Sequence, residues 1–199
     1  MRKDNFKQLA SIESAKKSEI ENYLLSLKSL LTSISQNVGT KEAFISLRDG
    51  FYKLNDELNL NIDEIKDEIK IDFKSNYLDR VNYDVPNSET RKNIDSYLPQ
   101  NSNALIAQYI FITDNKEQLG EKNSLIYNEK YDSTYMRAHK KYHKSFDSIL
   151  NSYSLYDIFM VDLEGNLIYT DFKEKDFATN LKSGVYSNTG IANVYKKAL

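Results

Sequence analysis

His139 and His143 are the only histidines in the chain. Four residues apart, they share one face of a helix, the spacing with which two imidazoles hold a metal ion. Asp147 carries that face one turn further. A third ligand would have to come from elsewhere, and with no cysteine in the sequence it is not a thiolate. The H-E-x-x-H form is missing, because Lys140 follows His139. Hydrogen-bonded structural histidines are the expectation, with no cofactor; metal or haem at His139 and His143 is the alternative.

Two further constellations carry polar chemistry. Asp162-Leu163-Glu164-Gly165-Asn166 has the flavour of a calcium loop but lacks the alternating acidic order and the trailing glutamate, and a hairpin turn explains it better. Asp157 and Asp162, five apart on one strand, point to opposite faces and do not form an acid–base pair. Phe172-Lys173-Glu174-Lys175-Asp176-Phe177 is a charged cluster bracketed by aromatic rings, read either as a solvated loop or as a place where Lys173 and Glu174 hold a polar ligand at a sheet end. No nucleophile elbow, phosphate-binding loop or dinucleotide fingerprint occurs, so no enzyme is expected.

The elements that must position these groups follow from periodicity. Phe6, Leu9, Ile12, Ile20, Tyr23, Leu24, Leu27, Leu30, Leu31 and Ile34 fall at steps of three and four, which predicts a long first helix. Gly39 is its expected stop and Thr40 the cap of a second helix carrying Phe44, Leu47, Phe51 and Leu54. Asn61 with Glu64 opens a third through Ile65, Ile69, Phe73 and Tyr77. Residues 83–103, with Pro86 and Pro99, read as a connector holding one short helix. An apolar helix near 103–113 and one capped by Asp132-Ser133-Thr134 and running to about Asn151 come next. Tyr156–Asp162 and Leu167–Phe172 then read as two β-strands, a hairpin over about 156–173, and a short helix closes the chain near 189–199. Two strands alone leave open edges, so either helices form a platform or further strands lie beyond Leu199; the second is the expectation.

Composition bounds the rest. The chain has 199 residues, 27 Lys+Arg against 29 Asp+Glu, 40% hydrophobic residues, and 15 Tyr. A net charge of −2 lacks the basic excess that nucleic acid demands. No apolar run of membrane-spanning length and no signal-peptide core is present.

Read in order, several blocks resemble the sensor region of bacterial methyl-accepting chemotaxis proteins. Tyr109-Ile110, Asn115 and Leu119-Gly120-Glu121-Lys122 form one. Tyr135, His139, Tyr142, His143 and Phe146 form another. Tyr156-Asp157-Ile158-Phe159-Met160-Val161-Asp162, Gly165, Ile168-Tyr169, Phe172-Lys173-Glu174 and Asp176-Phe177-Ala178-Thr179-Asn180-Leu181, then Gly184 and Tyr186, form the longest. The chain departs from that pattern at Lys116-Glu117 and at Lys144, where the family often has proline.

The resemblance implies an α+β, mostly helical fold: a helical region over 1–100, then over 101–199 the first part of a PAS/Cache-like sheet domain cut before it is complete. It implies a periplasmic sensor region held by membrane helices outside this stretch, dimeric in the full receptor, that passes a small-molecule signal through its first helix. A helical dimerisation module is the other alternative. Candidate ligand residues are Tyr109, Tyr135, His139, Tyr142, His143, Tyr156, Asp157, Tyr169, Lys173, Glu174 and Asp176.

Overall fold

A computed structural model describes residues 2–81, 84 and 92–199, with side chains from Phe6 onward. Pro86 and its neighbours in the predicted connector lie outside the described residues. The protein is mostly helical with one small antiparallel sheet. It divides into two compact units, Met1–Glu42 and Ala43–Leu199.

In the first unit, α1 (Arg2–Gln36) leaves Phe6, Leu9, Leu24 and Leu31 more than half accessible, while Leu27, Leu30 and Ile34 are half-buried. The break falls at Asn37 rather than Gly39. Asn37 accepts the Thr40 amide through its side chain, 3.3 Å, and Gly39 lies within α2 (Val38–Phe51). An asparagine at the cap satisfies an amide that glycine cannot.

In the second unit one core joins residues from both halves of the predicted domain division. Leu47 and Phe51 of α2, Leu54 of α3 (Leu54–Leu58), Ile65 and Ile69 of α4 (Ile62–Asn76) and Leu105 and Ile106 of α5 (Ser102–Gln108) pack with Ile168 and Tyr169. The caps follow the sequence: Asn61 accepts from Glu64 N, Asn101 from Ala104 N, Ser133 from Met136 N and Thr189 from Ala192 N. Leu54 opens its own short helix instead of continuing α2, because two turn residues intervene. The connector's short helix is a 3₁₀ turn, Ile94–Tyr97.

The chain after α5 passes through a π-helical turn, Tyr109–Thr113, closed by the Asp114 amide on Tyr109 O at 2.7 Å. The extra residue in that turn brings Phe111 into the core, where it is fully buried. Helix α6 (Thr134–Tyr153) buries Tyr135, His139, His143, Phe146 and Leu150, a stripe at helical spacing. Its first turn approaches α2 so closely that a Cβ on Gly50 would fall 2.5 Å from Tyr135 N.

The hairpin is shorter than 156–173. Strands β1 (Phe159–Val161) and β2 (Leu167–Thr170) pair Met160 with Tyr169 and Val161 with Leu167 around a bulge. Asp157 and Asp162 flank β1 and lie outside it. All four β2 residues are buried. Its other edge receives residues 178–181: Leu167 N donates to Thr179 O at 2.9 Å, Ala178 N to Leu167 O at 3.1 Å, and Leu181 N to Gly165 O at 2.8 Å. This returning segment pairs with the edge of β2 that faces away from β1. Helix α7 (Gly190–Ala198) packs Ala192 and Tyr195 against Leu181.

Candidate functional site

Three elements converge behind the hairpin: α6, the end of β2, and the loop that leaves it. Tyr169 of β2 meets Asp171 and Lys173 of the bend that follows the strand, its OH 3.0 Å from Asp171 Oδ2. Lys173 takes a left-handed conformation (φ +56), as does Ala178 (φ +62), and these strained residues bracket the loop. The turn folds the lysine back. Its Nζ donates to Thr170 O and lies 4.2 Å from the Tyr169 ring centroid, with the rings of Phe111 and Phe177 at 5.5 and 5.4 Å. Gln108 of α5 pins the loop by donating to Lys175 O and Phe177 O.

Lys173 is fully buried, and burial pushes its pKa down to about 7, against the opposing pull of Asp171 and Asp157. Asp157 Oδ1 accepts the amides of Ile158, 2.6 Å, and Asp171, 2.7 Å, while Oδ2 is buried without a partner. Burial raises the Asp157 carboxyl to about 6, although those two amides act in the other direction. Burial also raises Asp171.

On α6 the imidazoles stack, centroids 4.3 Å apart. His139 Nδ1 donates to Ile126 O at 3.1 Å, which leaves Nε2 with its lone pair buried and unpartnered. His143 Nε2 donates to Asn123 O at 2.6 Å, so in neutral His143 the Nδ1 lone pair faces Tyr169 OH at 2.7 Å. Tyr169 OH also lies 3.0 Å from Asp171 Oδ2. One phenolic proton serves two acceptors. Either Asp171 holds a proton and donates to Tyr169, which donates to His143, or Tyr169 donates to ionised Asp171 and protonated His143 donates to Tyr169. Burial, followed by Lys173, pushes His143 down to about 4, and burial holds His139 well below its ordinary value. Those shifts, with raised Asp171, favour the neutral arrangement. The row His143–Tyr169–Asp171 is therefore a proton relay with two hydrogen-bonded states.

Of the residues predicted to touch a ligand, Tyr135, His139, His143, Asp157, Tyr169 and Lys173 meet here. Tyr135 OH donates to Ile168 O at 2.8 Å, tying α6 to β2. The other five lie apart. Tyr109 packs edge-on against Tyr131. Tyr142, half-buried against the core, accepts from Lys141 Nζ, 2.8 Å. Tyr156 is exposed and donates to Glu174 Oε2 at 2.8 Å, a bond that raises its pKa to about 12. Asp176, raised to about 6 by burial and then by Glu174, offers its carbonyl to Thr179. The Asp162 carboxylate accepts Asn166 N, 2.8 Å, and Tyr52 OH, 2.6 Å, which makes Asp162–Asn166 a turn tied to the residue after α2.

Sequence reasoning missed Phe111, Asn123, Ile126 and the relay role of Asp171. The i, i+2, i+4 spacing of Tyr169, Asp171 and Lys173 was the available signal for the last. As a metal site the pair fits poorly. His143 has both nitrogens engaged, and no cluster of three or more His, Asp or Glu suited to a metal occurs among the described residues. His143 also reaches the wall of an open cleft of about 520 Å³, lined with Asn123, Ile126 and Asp147. Among the described residues no helix is long and apolar enough to cross a membrane. Comparison of the chain with protein-family models, with curated proteins and with solved structures found no match.

Proposed function

We propose that this chain is the ligand-sensing, PAS/Cache-like extracytoplasmic region of a bacterial chemoreceptor, which binds a small molecule at the polar cluster behind the hairpin. One observation carries the reading: six residues drawn from separate blocks of the sequence resemblance, Tyr135, His139, His143, Asp157, Tyr169 and Lys173, meet in one buried site whose edge opens on a cleft at His143. Buried polar groups are costly unless paired. A site holding an unpartnered imidazole nitrogen and an unpartnered carboxylate oxygen gains when a ligand supplies the missing partners. Binding would select one of the two relay arrangements, and the preference passes to α6 through His139 and His143.

Thermal-shift screening of the chain against amino acids, carboxylates, amines and sugars tests the reading. A true ligand at 100 times its Kd adds roughly 2.7 kcal/mol of stability. That gain should be weakened at least tenfold in affinity by His139→Ala. A panel without any saturable stabilisation, or a ligand whose binding ignores His139, overturns it.

A further inference from the structure

A second cleft, of about 340 Å³, has Asp72, Asn76, Arg80, Lys122 and Lys175 on its walls. Lys122 and Lys175 are both more than nine-tenths buried. Lys175 Nζ is ion-paired with Asp72 Oδ2, and Asp72 Oδ1 accepts the Asn76 amide at 2.7 Å. Both oxygens of that carboxylate are therefore committed. Lys122 Nζ donates to a neutral carbonyl, Asn115 O, at 2.6 Å, and forms no ion pair with a carboxylate among the described residues. An ammonium has three protons, so two of them remain to be placed. Arg80 stands exposed at the rim, with one bond from Nη2 to Asn76 Oδ1 at 3.1 Å. Glu117, the other carboxylate of the cleft, is exposed.

We propose that this cleft is a binding site for a small oxyanion, a carboxylate or phosphate, held between Lys122 and Lys175 with Arg80 closing on it from the rim. Three cations face two carboxylates, one of which is already spent on Lys175. A buried ammonium without a countercharge is expensive, and an anion placed between two of them offsets that cost. Burial holds Lys122 below its ordinary pKa; Asp72 pulls the other way and Lys175 adds to the lowering, so the two ammoniums act on each other across the space. The cavity has room for a molecule of a few heavy atoms. The site is separate from the relay and does not depend on the sensing proposal.

The test is a titration of the ¹⁵N-labelled chain with sodium succinate, inorganic phosphate and sodium sulfate at an ionic strength held constant with chloride. Saturable shifts of the Asp72, Lys122 and Lys175 amides are expected, with the preferred anion identifying carboxylate or phosphate chemistry. Arg80→Gln, a rim substitution that leaves the core untouched, should weaken binding about tenfold, as loss of a charge-assisted contact does. Shifts that rise linearly with salt and are matched by chloride overturn the proposal. So does saturable binding that is unchanged in both Arg80→Gln and Lys122→Met. Shifts confined to His139, Tyr169 and Lys173 would support the sensing reading and overturn this one.

Discussion

Lys173 and Lys122 are both buried lysines, and the molecule treats them in opposite ways. Lys173 sits in a box of three aromatic rings, donates to Thr170 O, and has Asp157 and Asp171 as neighbours. Its surroundings are internal to the fold. Lys122 donates to a carbonyl and faces open space. The first arrangement spends the ammonium within the fold's own polar network, whereas the second leaves two of its donors unspent. Burial alone thus does not mark a binding residue; the number of donors left unspent does.

Breaking the box itself should have the largest effect. Phe111 is fully buried, and its ring centroid lies 4.7 Å from that of His139, 5.6 Å from Tyr135 and 5.8 Å from Phe177. Phe111→Ala should cost roughly 3–5 kcal/mol in urea unfolding, the range for truncating a buried aromatic. Leu119→Ala, at the half-exposed edge of the anion cleft, should stay within about 0.5 kcal/mol. Equal losses would remove the distinction between a closed and an open site.

The next effect is on pH dependence. The folded-state pKa of Lys173 lies near 7, below its ordinary value of 10.5. Between these values the unfolded chain binds more protons than the folded one, so stability rises with pH over that window. The slope approaches about 1.4 kcal/mol per pH unit for one fully differential proton. Unfolding measured from pH 7 to 9.5 should show the rise, and Lys173→Met should flatten it. Lys122→Met should flatten it less, because Lys122 borders an open cleft whereas Lys173 is fully enclosed. On the acid side, Asp157 and His143 act against each other. Raised Asp157 costs stability as pH climbs from 3.8 to about 6, whereas lowered His143 adds stability from about 4 to 6.5.

How much of this was legible beforehand depends on which atoms do the work. Caps at Asn61 and Ser133 use side chains, so residue type revealed them. The shared face of His139 and His143 followed from helical spacing, and the hairpin from two β-rich runs around a turn sequence. By contrast, the partners that fix both imidazoles include the backbone carbonyls of Ile126 and Asn123, which any residue could supply. Residues 178–181 pair with β2 through backbone atoms alone and carry no β-branched run. Lys173 was visible as a charge beside aromatic residues, but its fold back over Tyr169 depends on a left-handed conformation that lysine rarely adopts. The division at Glu42/Ala43 was hidden because α2 continues across it.

A further expected effect probes the relay that sets the closed site apart. Tyr169→Phe removes the hydroxyl shared by His143 Nδ1 and Asp171 Oδ2, atoms that lie 3.7 Å apart. Two buried polar groups lose a partner, which should cost about 1–3 kcal/mol. With the phenol gone, Asp171 becomes the nearest group to His143 Nδ1, and a direct pair with a carboxylate favours the imidazolium. The His143 pKa, about 4 with the tyrosine in place, should therefore move up, toward or past its ordinary 6.5. Ring ¹⁵N shifts of His143 followed through an acid titration report this directly. An unchanged titration in Tyr169→Phe would mean that the hydroxyl only fills space, and that the two arrangements are not coupled through it.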